Sequence, residues 1–131
     1  MTSRFDAALA AICAQGGWTL PETDAGGYAR VALREMEFTL SAPDDRHLCF
    51  LYPLPVSAAP EEAPGGQARQ LARMAAASAW ERKAILSFCE GAFYLHVIVD
   101  MAATSVEEIP ALCQDFLNDC DWWRQNRSFF T

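Results

Sequence analysis

The final third of the chain dictates most of what can be built around it. From Ile109 onward the apolar residues Ile109, Leu112, Cys113, Phe116, Leu117, Cys120 and Trp123 recur at helical spacing, the strongest such stripe in the sequence, while Glu107, Asp115 and Asn118 fall on the water side. A helix with one greasy face has to lie on something, and the residues just before it supply the surface. Ile85 to Cys89 and Ala92 to Asp100 read as a hairpin across Glu90-Gly91. In its second arm Phe93, Leu95, Val97 and Val99 share one face and Tyr94, His96 and Ile98 the other. Apolar groups on both faces belong to a strand inside a sheet, not at its rim. The helix is expected to start after Thr104-Ser105: Thr104/Glu107 and Ser105/Glu108 both match a capping box, and Pro110 sits early, where it costs least.

The rest of the chain fits around that unit. Ser3 is a good N-cap for a first helix that stops at Gly16-Gly17, with Phe5, Ala8, Leu9, Ile12 and Cys13 on one stripe. Residues 19–27 read as loop. Strand signals begin at Tyr28 and become plain at Met36, where Met36, Phe38 and Leu40 point one way and Glu37 and Thr39 the other. Pro43-Asp44-Asp45-Arg46 is a turn, and His47 to Tyr52 a further extended run, so an antiparallel meander is expected. Residues 53–66 hold four prolines and two glycines and form a loop, with too little chain on either side for a linker between two cores. A second helix follows over Gln67 to Trp80, with Leu71 beside a face of Ala68, Ala72, Ala75, Ala76 and Ala79. That stripe either admits another backbone closely or reflects only an alanine-rich sequence. The order α-β-β-β-α-β-β-α over residues 1–131 predicts one α+β domain, three helices on a curved antiparallel sheet.

Charge and cysteine usage narrow the function. Ten basic against seventeen acidic residues give a net charge of −7, which repels nucleic acid and anionic membranes. The bases, nearly all Arg, are scattered at Arg4, Arg30, Arg34, Arg46, Arg69, Arg73, Lys83, Arg82, Arg124 and Arg127, and form no patch. The first residues, MTSRFDAALAAICAQGGW, do not read as a signal peptide, and no stretch approaches the ~20 apolar residues of a membrane span, so the cytoplasm is expected. The five cysteines (Cys13, Cys49, Cys89, Cys113 and Cys120) include no CxxC; Cys113 and Cys120 lie about 10 Å apart by helical rise, beyond disulfide reach. Reduced, mostly buried thiols are expected.

Catalytic or cofactor signatures do not emerge. His47 and His96 each sit on a predicted strand with no third ligand near them in sequence. Cys89 and His96 occupy opposite arms of the hairpin, but the tight turn pairs Cys89 near Ala92 instead. No GxGxxG, GxxxxGK[ST] or GxSxG is present, and Gly16-Gly17, Gly26-Gly27 and Gly65-Gly66 read as turn punctuation. What stands out is large apolar surplus. Trp122 and Trp123 are neighbours on a helix and cannot both enter one core face; Trp80 closes helix two; Phe129 and Phe130 end the chain. Such a surplus either covers edges within the fold or makes an interface, and the interface is the preferred reading.

The stretch ILSFCEGAFYLHVIVDMAATSVEEIPALCQDFLNDCDWWRQ (85–125) resembles the class I type III secretion chaperones, through Gly91, Phe93, Leu95, Val97, Val99, Phe116, Asp121 and Trp123. Phe5, Leu9 and Ile12 on helix one and Met36, Phe38 and Leu40 on the strand also match that family's pattern, while the proline-rich stretch and the alanine content of helix two depart from it. The resemblance implies a homodimer, without enzymatic activity, cofactor or metal, that escorts a virulence effector. It implies that the effector's N-terminal segment wraps the chaperone in extended form. It places effector grooves at Phe5, Leu9, Ile12, Met36, Phe38 and Leu40, and the dimer interface at Leu71, Ala72, Ala75, Trp80 and Phe93. The secretion apparatus ATPase is a further implied partner. Burial in the chain's own core competes with each of these assignments.

Two other functions suit the same scaffold: a regulatory adaptor that sequesters a secretion regulator, and a small enzyme or ligand-binding domain. The last requires a monomer with a closed polar pocket. On the groove reading, Phe38→Asp abolishes partner binding and leaves the dimer folded; unfolding would mark Phe38 as core.

Overall fold

The computed structural model describes residues 3–18, 21, 23, 27–33, 36–54 and 66–126, with the backbone alone at 33 and 66–68. Residues 55–65 of the proline-rich stretch, the tail with Phe129 and Phe130, and the side chain of Ala68 lie outside the described residues. The elements run α1 (Arg4–Gly16), β1 (Tyr28–Leu33), β2 (Met36–Ser41), β3 (His47–Pro53), α2 (Gly66–Ser78), β4 (Ile85–Cys89), β5 (Ala92–Asp100) and α3 (Ile109–Gln125). The expected order is the observed one.

Local chemistry sets most of the boundaries. Ser3 caps α1, its hydroxyl accepting from the Asp6 N–H at 3.1 Å, and Gly17 closes the helix in the left-handed region at φ 69°. The β4–β5 hairpin turns through Glu90 and Gly91, both at positive φ, as a tight antiparallel turn requires. At the start of α3 the capping box does not form. Ser105 instead opens a 3₁₀ turn, Val106–Glu108, without a side-chain cap, and Pro110 enters at the beginning of the helix. A proline there lacks only an N–H that the first turn leaves unpaired in any case.

All neighbours in the five-stranded sheet, order β1-β2-β3-β5-β4, are antiparallel. β5 lies between β3 and β4, which accounts for its two apolar faces. Along β2 and β3 burial alternates strictly: Met36, Phe38, Leu40, Leu48, Phe50 and Tyr52 are buried. Helix α3 packs on α1, β3 and β5. Its Phe116 ring stacks on Phe50 at 5.6 Å and tilts against Phe38 at 6.3 Å. Trp123 is buried with this core, whereas Trp122 turns aside, edge-on to Trp123, with the Arg82 guanidinium over its ring.

An ion cluster fastens the β2–β3 turn to the end of β5. Arg46 donates from Nε and Nη2 to the two Asp100 oxygens at 2.9 and 2.6 Å, and the Met101 N–H donates to the Arg46 carbonyl. The Arg46 hydrogen bond, more than any other cause, holds the Asp100 carboxyl well below the usual carboxylate range. Asp44 is lowered likewise, first by the His47 side chain and then by the Arg46 and His47 backbone N–H groups. Folding therefore favours the ionised carboxylates, so their contribution is complete above an unfolded pKa of about 4 and is lost progressively as pH falls from there toward their lower folded values. The groups are solvent-exposed, so the effect is small. The urea midpoint is expected to drop below pH 4, and Asp100→Asn to make that drop shallower; parallel profiles would show that the pair carries none of it.

Candidate binding surfaces

The residues assigned to an effector groove are mostly consumed inside the chain. Leu9, Ile12, Met36, Phe38 and Leu40 are all buried in the core, and Phe5 is half-buried against it. This corrects the expectation of open grooves at Leu9, Met36, Phe38 and Leu40. Leu9 lies on the α1 face turned to the core, and on β2 the Phe38 ring meets Phe116 of the chain's own α3; an apolar face has the same sequence pattern whichever chain covers it.

The dimer assignments divide. Leu71 is fully buried in its own core and offers nothing to a partner, which corrects that assignment. Ala72 is exposed, Ala75 half-buried, and Trp80 stands 95% exposed just past α2. Phe93 is half-buried, its ring 4.9 Å from Phe88 across the hairpin. Beside them the sequence reading missed Ile85 and Phe88 on β4 and Ile98 on β5, all more than half exposed. The available signal was β4 itself: apolar residues on both faces of a strand that ends a hairpin. β4 forms one edge of the sheet, and β1 the other, where Thr23 makes an isolated bridge to Ala29. An edge strand with exposed aromatic and branched side chains is a template for another chain.

Between α1 and α3 lies a small open cavity of about 230 Å³, bounded by Ile12, Gln15, Gly16, Trp18, Pro110, Cys113, Gln114 and Leu117. Its wall depends on a glycine. The Trp18 indole folds back onto Gly16 so closely that a Cβ there would lie 2.5 Å from Trp18 Cε2. Ile12, from the sequence-assigned groove set, borders this opening.

His96 meets Ser87 Oγ at 3.1 Å and pairs across the sheet with Ile85, while Cys89 pairs with Ala92. Burial pushes the Cys113 thiol up to about 12 and raises Cys13, Cys49 and Cys120 as well, so these sulfurs are held as neutral thiols, unsuited to nucleophilic attack. All five cysteines are free. Among the described residues no group of three His, Cys, Asp or Glu side chains is placed to hold a metal ion. No helix among them is long and apolar enough to cross a membrane.

No family model matches the sequence, and no curated protein matches it in a sequence search. Solved structures match it along nearly its whole length. One is a chain of the ExsC–ExsE complex, with TM-score 0.71 and 20% identity, covering 95% of this chain and 94% of that one. Another is a chain of the HopA1–SchA chaperone–effector complex, with TM-score 0.69 and 17% identity over 93% and 94%. A third comes from the Yersinia pestis type III secretion chaperone SycH in complex with a stable fragment of YscM2, with TM-score 0.63 and 12% identity over 90% and 98%. Three helices on a five-stranded antiparallel sheet, in this order and over this length, are the fold of the class I type III secretion chaperones.

Proposed function

We propose that this chain is a type III secretion chaperone, a single-domain protein that acts as a homodimer in the bacterial cytoplasm. It binds the N-terminal segment of an effector in extended form and catalyses no reaction. The observation that carries the reading is the end-to-end fold likeness to chains of a chaperone–effector complex and of a type III secretion chaperone solved with a bound protein fragment.

The physics of the task suits the surfaces. Holding a segment extended costs about 1–2 kcal/mol of backbone entropy per residue. A sheet edge returns part of that through hydrogen bonds to the main chain, and each large apolar side chain buried in a pocket returns roughly 1.5–3 kcal/mol. The β1 edge, Phe5 and the Ile12 end of α1 are assigned to the effector. The β4 edge, with Trp80, Ile85 and Phe88, and the α2 face that carries exposed Ala72 and half-buried Ala75 are assigned to the second copy. A net charge of −7 keeps such a surface soluble before cargo arrives.

Light scattering on the purified protein is expected to give twice the chain mass of 14.5 kDa. Trp80→Asp combined with Phe88→Asp is expected to give the single-chain mass with folded circular dichroism, because both side chains face solvent in the lone chain. Co-expression with the proteins encoded beside it should yield a stable complex that is lost when the cargo's N-terminal segment is deleted. A monomer that captures none of them would end the proposal.

A further inference from the structure

We infer that the cavity between the end of α1 and the start of α3 takes an arginine side chain of the bound polypeptide, flanked by apolar residues. This rests on the chaperone reading and names the chemistry of its partner. At about 230 Å³ the cavity is below the roughly 300–1,000 Å³ of small-molecule sites, so it fits one side chain of a peptide better than a metabolite. Its floor is apolar, from Ile12, Cys113 and Leu117, and suits an aliphatic stem. Among the described residues its rim carries no cation: the last turn of α1 has no basic residue, and the one base of α3 is Arg124, at the far end of that helix.

The cavity lining itself holds no acid, but the end of α1 borders it and exposed acids stand close by in the chain. α1 ends here, and its dipole leaves partial negative charge on the terminal carbonyls. The Gly17 and Trp18 N–H groups take up those of Ala14 and Cys13, while the Gln15 and Gly16 carbonyls, also in the last turn, have no partner within the helix. The opposing positive end of α3 is met by Glu107 and Glu108, both exposed, in the turn that packs on α1. Asp115 adds a further exposed carboxylate next to Gln114. A guanidinium supplies what this rim lacks: donors for helix-end carbonyls and a flat cation to lie on the Trp18 ring.

The test uses the full chain labelled with ¹⁵N and three capped tripeptides, acetyl-Leu-Arg-Leu-amide and its versions with glutamate or norleucine at the centre. The arginine peptide is expected to shift the Trp18 indole N–H and the Gln114 side-chain amide saturably, with affinity at least tenfold above the other two. Gln114→Lys, an exposed change that puts a cation on the rim, is expected to weaken that peptide at least tenfold with no change in thermal midpoint. Gly16→Ala, which displaces the Trp18 ring, is expected to do the same. Equal affinity for all three peptides, shifts confined to other residues, no binding, or undiminished binding to Gln114→Lys would overturn the inference. So would shifts at Trp18 that depend on protein concentration without peptide, since a second copy would then be the occupant. Cargo capture by the wild-type chain in co-expression is scored separately, so loss of the arginine site leaves the chaperone reading standing, and loss of capture does not.

Discussion

Phe38→Asp is expected to leave no cooperatively folded protein at 25 °C. Phe38 is 0% exposed, and its ring lies 6.3 Å from Phe116, which in turn stacks on Phe50. Removing a buried phenylalanine costs roughly 3–5 kcal/mol in lost transfer energy and cavity. A carboxylate placed there has no described cation beside it and must either lose its hydration or take up a proton, which adds several kcal/mol. The total approaches or exceeds the roughly 5–15 kcal/mol that holds a domain folded. Phe38→Leu keeps most of the apolar volume and is expected to stay folded, about 1–1.5 kcal/mol less stable. Circular dichroism and urea unfolding check both. An Asp variant that folds normally and loses only its partner would return Phe38 to the surface role its sequence pattern allows.

Asp119→Ala should be the most damaging change at a polar position, at about 3 kcal/mol. Asp119 is 5% exposed on a helix face otherwise made of Phe116, Cys120 and Trp123. Its Oδ2 accepts from the Lys83 and Ala84 N–H groups, both at 3.0 Å, and its Oδ1 faces Arg82 Nη1 at 3.4 Å. One carboxylate therefore ties the strand entering β4 to α3. Hydrogen bonds to a charged acceptor contribute roughly 1.5–3 kcal/mol, and the alanine variant also leaves two backbone donors without their acceptor. The Arg82 contact is long and partly solvated, and adds little. Urea unfolding should show the loss, and amide exchange at Lys83 and Ala84 should quicken. Asp119→Asn, which keeps an oxygen acceptor, is expected to lose less than half as much. A variant as stable as the wild type would mean that the link holds by packing alone. Because this tie fixes where β4 begins, it also positions Ile85 and Trp80 for the proposed partner surface.

The sequence reading missed Asp119, though a signal was present. An acid three residues after Phe116 and four before Trp123 falls on the buried stripe, where a carboxylate persists only if other groups satisfy it. Its partners lie more than thirty residues away in the chain, and no local pattern names them. The same division holds for the Trp18 cavity. Gly16-Gly17 was legible as a helix stop, but that Gly16 must lack a Cβ because the Trp18 ring rests on it is a fact of three dimensions.

Local patterns were enough for the elements and their faces. The α3 stripe, the alternation of Met36, Phe38 and Leu40, the two-sided β5 and the Glu90-Gly91 turn each express the 3.6-residue or two-residue period, or the turn preference, of the backbone in their own few residues. Tertiary structure decided which apolar face meets which: Phe38 and Leu71 turn inward onto the chain's own core, while Trp80, Ile85 and Phe88 are left facing outward. Periodicity records that a face avoids water. It does not record what covers that face, because the hydrophobic effect has no direction and the covering residues come from distant parts of the chain.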